Sequence, residues 1–220
     1  MTDAPSKWSA AGNYRSPMGL VVGDRYRVEL GSQTVDLPLV SIGPDTAISL
    51  LMTIDHGVRF MERAGRDLAE LLAPSEPEIV ATAATLGIPV AIEVTKALGF
   101  DDYLVLQKTA KIHLGDALAE PLSSITTAGS QQLLLDRARI PAVAGKRVAL
   151  VDDVVATGGS MAACLRLLRD AGGEVVSVGT LLAEGAGWAD ALGADAALVR
   201  SLGRIPLFRR TDDGWVEQWD

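Results

Sequence analysis

The sequence predicts an α/β protein built on a doubly wound, mostly parallel sheet, with a small hood from the terminal hairpins. Three observations carry this. Apolar runs of strand length lie at residues 78–83, 103–107, 147–153 and 174–183. Helical patterns alternate with them, and strands joined by helical crossovers form a parallel sheet with helices on both faces. Near the two ends, residues 25–40 and 207–219 instead alternate about short turns, as hairpins do.

Residues 1–17 are polar and rich in small side chains, and predict a loosely held arm. Tyr26, Val28 and Leu30 alternate into a turn at Gly31-Ser32 within a hood element spanning 18–45. Asp55 can cap a helix over 56–73 whose Val58, Met61, Leu68 and Leu72 share a face, with Pro74 and Pro77 ending it. "EIVATA" (78–83) follows as a strand. After a turn from Ala84 to Gly87 comes a helix with Pro89 in its first turn, running to Leu98-Gly99. "YLVLQ" (103–107) is the next strand, and a polar stretch at 121–132 precedes the short strand "LLLDR". "RVALVDD" (147–153) leads to a helix from Gly159 to Ala171, and "EVVSVGTLLA" (174–183) is again a buried strand. The core then spans 46–200, and 201–220 returns as a C-terminal hood hairpin through Asp213-Gly214.

A chain of 220 residues, 48% hydrophobic and 22% charged, has enough apolar material for a full core. A net charge of −8 speaks against a nucleic-acid surface, which needs clustered Lys and Arg, and fits a soluble cytoplasmic protein. The single cysteine, Cys164, has no internal disulfide partner and reads as a small core residue in register with Met161 and Leu168. No apolar run reaches membrane-spanning length, and the first residues lack the apolar stretch of a signal peptide. His56 and His113 have no metal or triad spacing and read as bystanders.

The chemistry concentrates in "VALVDDVVATGGS", residues 148–160. A buried strand ends in Asp152 and Asp153 and is followed by Ala156, Thr157, Gly158, Gly159 and Ser160 at the start of a helix. In an open α/β sheet, ligands collect at this carboxyl edge. Glycines let backbone N–H groups approach an anion, the helix dipole favours negative charge, and two hydroxyls add donors. No Lys follows the glycines, so the turn is not a Walker loop, and it is not G-x-G-x-x-G either. Carboxylates repel phosphate but accept hydrogen bonds from vicinal sugar hydroxyls. A ribose carrying a 5-phosphate satisfies both halves.

Four apolar residues, two acids and A-T-G-G-S resemble the phosphoribosyl pyrophosphate (PRPP) motif of type I phosphoribosyltransferases. The segment is similar to that of the adenine and xanthine branch and to that of the purine repressor's PRPP-binding domain. The resemblance runs from about Ile79 to about Leu202. It implies the type I phosphoribosyltransferase fold and a Mg2+-dependent transfer of the phosphoribosyl group from PRPP to a purine base. It also implies a homodimer and an ion carried by PRPP rather than by a dedicated set of side chains. Asp152 and Asp153 would hold the ribose, and 156–160 the 5-phosphate.

Thr85, Leu86 and Gly87 sit where that family's pyrophosphate loop lies, Leu86 replacing a residue often polar or basic; an ordinary strand-to-helix turn reads them as well. Lys108 and Lys111 resemble the basic pair facing pyrophosphate, Lys108 joining the two acids as a catalytic candidate. Two lysines alone usually mean solvated surface, but at a strand's carboxyl end in this fold the functional reading of Lys108 is favoured. Glu184 closes the last core strand where purine members place an acid near the base, and Trp188 or Phe208 could stack on it, although aromatics more often pack. The polar tract 121–132 takes the place of the mobile catalytic loop but lacks the Tyr and Glu of the adenine enzymes. That departure keeps a second reading open, a PRPP-binding regulatory protein without catalysis.

Overall fold

The computed structural model describes residues 22–109, 116–122, 131–212 and 214–219. The expected arm at 1–17, Lys111, His113 and residues 123–130 of the polar tract lie outside the described residues. The first half of the chain runs β1 (Val22–Leu30), β2 (Gln33–Ser41), β3 (Thr46–Ser49), α1 (Val58–Leu72), β4 (Ile79–Ala83), α2 (Gly87–Ala97) and β5 (Tyr103–Leu106). The second half runs β6 (Ala117–Leu122), β7 (Gln131–Asp136), β8 (Arg147–Val155), α3 (Gly159–Asp170), β9 (Glu174–Glu184), α4 (Trp188–Leu192), β10 (Val199–Ile205), β11 (Leu207–Thr211) and β12 (Gly214–Gln218).

The central sheet has the order β10-β9-β8-β4-β5, and every pairing in it is parallel. Its central strands β4, β8 and β9 are largely buried on both faces, which is why they read as continuous apolar runs rather than alternating ones. Side-chain alternation still divides them. Ile79, Ala81, Val148 and Leu150 join α3 in one core, whereas Val80, Ala149 and Val151 join α1 and α2 in the other. That is the doubly wound arrangement expected from the sequence. None of the described helices is long and apolar enough to cross a membrane.

A second sheet, β1-β2-β3-β11-β12, is antiparallel throughout and brings the two terminal hairpins together. Tyr26 on β1 meets Phe208 on β11 edge to face, with ring centroids 5.2 Å apart. This hood is fastened to α1 at its first turn, where the Ser32 N–H and hydroxyl both donate to Asp67 at 2.7 Å. The Gly31 N–H also donates to the Leu202 carbonyl in the middle of β10. β3, just past the expected division at 45/46, pairs within the hood sheet, and β10, which spans the one at 200/201, pairs within the parallel sheet.

Two local expectations change. Asp55 does not cap α1; it ends a short 3-10 turn over Thr53–Asp55, and Gly57 stands at the helix N-cap without a side-chain bond. His56, held extended and stacked on Phe60 at 4.4 Å, separates the turn from the helix. Val58 is 77% exposed, because the first turn of α1 projects past the core that buries Met61, Leu68 and Leu72. The "LLLDR" strand pairs antiparallel with β6 as a separate two-stranded ribbon. That ribbon leans on α3 through the Arg166–Glu120 ion pair.

Candidate active site

Parallel strands bring β4, β5, β8 and β9 to one edge of the sheet, and the turns leaving β4 and β8 both open helices there. β8 runs two residues further than the sequence suggests, through Val154 and Val155. The acids therefore sit inside its last four residues, Asp152 paired in register with Thr180 of β9. Asp152, Val155, Ala156, Thr157, Gly158 and Ser160 line one cleft.

Asp152 is half-buried, and its Oδ1 accepts the Asp153 N–H at 3.0 Å. Burial first, and the neighbouring Asp153 carboxylate second, push its pKa well above the usual carboxylate range, while the Lys108 ammonium pulls it back. Lys108 is itself exposed, just beyond β5, so the structure places it within electrostatic reach of the acid pair. Behind Asp152 lies Cys164 on α3, fully buried, its thiol pushed up to about 12 by burial and by the Asp152 charge. A thiol in that state is packing material, as its helical register suggests.

The turn after β8 takes its shape from Gly158, which has φ +77° and caps α3. A Cβ there would stand 2.7 Å from the Trp188 carbonyl and 3.0 Å from the Ala191 side chain. Gly158 is thus required twice, by its backbone angles and by the first turn of α4 pressed against it. Gly159 has no positive φ and simply opens the helix. No side chain caps α3, so the amides of its first turn remain available to an anion, with Thr157 and Ser160 exposed beside them.

The turn after β4 has a different construction. The Ala84 N–H donates to the Leu106 carbonyl, the Ala84–Thr85 peptide is cis, and Leu86 is the N-cap of α2, again with no side-chain cap. Gly87 is needed for closeness: a Cβ would run into the Thr82 hydroxyl and lie 2.6 Å from Asp152 Oδ1. The two turns and the acid pair are therefore one cluster. Two members escaped the sequence reading. Thr82 is fully buried, and its signal was a lone hydroxyl in the apolar run "EIVATA". Thr53, also buried, donates from its hydroxyl to the Leu86 carbonyl at 2.7 Å and gave no sequence signal.

Glu184 ends β9 one residue beyond the Val155–Ala183 pair, half-buried, and burial raises its pKa from an ordinary 4.5 to about 7. The two aromatic candidates pack on apolar surface. The Trp188 ring packs against the α3-side core with its indole N–H buried and unpartnered, and its backbone supports Gly158. Phe208 is buried among Leu39, Ala47 and Tyr26 in the hood. Both rings were drawn into the apolar contacts that aromatics usually make.

Comparison with known proteins follows the same outline. The chain is 37% identical to the orotate phosphoribosyltransferase of Mycobacterium leprae over 120 residues, which cover 54% of this chain and 56% of that protein. It is 31% identical to the adenine phosphoribosyltransferase of Rhodospirillum centenum over 118 residues, covering 52% and 64%. The chain thus spans less than two thirds of the length of either relative. The crystal structure of adenine phosphoribosyltransferase from Rhodothermus marinus shares the fold, with a TM-score of 0.54, 23% identity and coverage of 82% of this chain and 94% of that one. The phosphoribosyl transferase domain model matches residues 58–197, from the start of α1 past α4, a span that takes in both turns and the helix behind each. On that match the chain belongs to the phosphoribosyl transferase domain family.

Proposed function

We propose that the protein transfers the 5-phosphoribosyl group of PRPP to a ring nitrogen of a purine base. The bond from ribose C1 to the pyrophosphate oxygen breaks, its electron pair leaves with pyrophosphate, and a C1–N bond forms as the base nitrogen loses its proton. One observation carries this reading: two carboxylates at the end of a buried strand stand one turn ahead of an uncapped helix start shaped by Gly158.

In this reading Asp152 and Asp153 accept the ribose hydroxyls, and the amides from Thr157 to Ser160 take the 5-phosphate with Ala156 leading into them. Thr85, Leu86 and Gly87 offer their amides to the pyrophosphate, and Lys108 neutralises its charge as it leaves, as the family resemblance also implies for Lys111. Among the described residues no group of three or more His, Cys, Asp or Glu is arranged to hold a metal. Mg2+ would then arrive on the pyrophosphate of PRPP, as part of the substrate, and spread the leaving group's charge. Glu184 favours a purine over orotate: an acid with a pKa of about 7 can accept or donate a hydrogen bond to a purine edge, but is a poor neighbour for orotate's carboxylate. The exposed Ile54, Val58 and Ile92 share one apolar groove and support a homodimer as the working form.

Pyrophosphate release from PRPP with Mg2+, measured against adenine, guanine, hypoxanthine, xanthine and orotate, tests the proposal. Release with a purine supports it, and release with orotate alone corrects the base. PRPP binding without release for any base would assign the site to sensing.

A further inference from the structure

The 84–87 turn has no positive φ to define it and no side chain of its own at the cap of α2, yet it must hold a fixed set of amides. Thr53, from outside the turn, donates a side-chain hydrogen bond to its Leu86 carbonyl. This threonine lies more than thirty positions earlier, in the 3-10 turn between the hood strand β3 and α1, and is 1% exposed. We propose that Thr53 is a positioning residue for this turn: its hydroxyl fixes the Leu86–Gly87 peptide and so aims the Gly87 amide that the proposed pyrophosphate site uses.

A planar trans peptide carries its carbonyl and its N–H on opposite sides. With the Leu86 carbonyl held toward Thr53 at 2.7 Å, the Gly87 N–H must point the other way. It is one of the unpaired donors at the start of α2. The Gly87 Cα, in turn, is packed so tightly against Thr82 and Asp152 that the turn cannot relax toward them. Thr53 on one side and the Asp152 strand on the other thus fix the peptide plane. A threonine suits the task, since its branched Cβ restricts χ1 and the hydroxyl is aimed at little entropic cost. The 156–160 turn has no link to Thr53, because α4 and Gly158 shape it.

The inference rests on the pyrophosphate role proposed for the turn, and the test separates the two. Mg-pyrophosphate and ribose 5-phosphate are titrated calorimetrically into the wild type, Thr53→Val and Thr53→Ser. Valine keeps the shape and removes the hydroxyl; serine keeps the hydroxyl. Thr53→Val should bind pyrophosphate about five- to ten-fold more weakly, the size of one net hydrogen bond. Its affinity for ribose 5-phosphate should stay within about twofold, and Thr53→Ser should restore pyrophosphate binding, as a merely structural role would not. Equal pyrophosphate affinity in Thr53→Val overturns the inference, as does equal weakening of both ligands or a serine variant as poor as valine. A wild type that binds ribose 5-phosphate but not pyrophosphate overturns it through the turn's role, and one that binds neither overturns the proposed function as well.

Discussion

At the 156–160 turn the backbone conformation is written into a single residue, Gly158, whose φ of +77° no other residue of the segment shares. At the 84–87 turn no residue has a positive φ, and the Leu86–Gly87 peptide is held from two sides, by the Thr53 hydroxyl and by the Asp152 strand crowding Gly87. Both turns leave a buried strand, open an uncapped helix and face the same cluster. The first is self-determined and the second is assembled. A self-determined turn should fail when its own glycine is changed. An assembled one should fail by degrees, through residues far away in sequence.

The largest effect is expected at Gly158. A valine there must abandon the positive φ and would strike the Trp188 carbonyl and Ala191. Affinity for ribose 5-phosphate should fall by at least ~100-fold, with a stability loss of ~1–3 kcal/mol in urea unfolding. Gly159→Val, at a position without positive φ, should cost much less. Equal losses at the two glycines would erase the distinction between the turns.

The same distinction explains what the sequence revealed. The 148–160 segment was legible because strand, acids, glycines and helix are contiguous, so local rules suffice to place them. The parallel sheet was legible because strands buried on both faces are apolar throughout, and the terminal hairpins because their turns are short. Thr53 was not legible, since its meaning depends on a carbonyl that only the fold brings near. β3 and β10 were missed for a related reason. Thr46–Ser49 is four residues long and stabilised by β2 and β11, and Val199–Ile205 carries two arginines and a glycine in a strand defined by its partner β9. Trp188 and Phe208 show the reverse case: local chemistry suggested a ligand, and the fold sets the rings against apolar clusters.

Asp152 belongs to both turns, lining the cleft of one and crowding the glycine of the other, so its removal probes whether they act as one site. Its folded pKa lies above the unfolded one, so the associated stability is present at low pH and is lost as pH rises through the raised value. Asp152→Asn abolishes that loss. The variant should therefore be at least as stable as the wild type in urea unfolding at pH 8, with no advantage at low pH. Its affinity for ribose 5-phosphate should still fall by ~10–100-fold, since hydrogen bonds to a charged acceptor disappear. A variant less stable than wild type at pH 8 would mean that the charge is compensated within the fold and is not held for a ligand.

The smallest effect is expected at Glu184, the last residue of β9, which Gly185 follows with φ +55° and an N–H donated to the Ile205 carbonyl. Its carboxyl is raised to about 7 by burial alone, with no charged partner contributing. The sign follows from that. Below the unfolded value of 4.5 the group is neutral in both states, and as pH climbs through about 7 the folded state must ionise a poorly solvated acid and loses stability. Glu184 is half-buried, so water recovers part of the cost, and the loss between pH 5 and 8 should not exceed ~1–2 kcal/mol. Glu184→Gln should remove this pH dependence, matching the wild type near pH 5 and exceeding it at pH 8 in thermal or urea unfolding. If Glu184 also receives the base, wild-type affinity for the accepted purine should change across a midpoint near 7, and the glutamine variant should lose that midpoint while keeping its ribose 5-phosphate affinity. A midpoint that persists in Glu184→Gln would assign the titration to another group and leave the β9 end as a structural edge of the site.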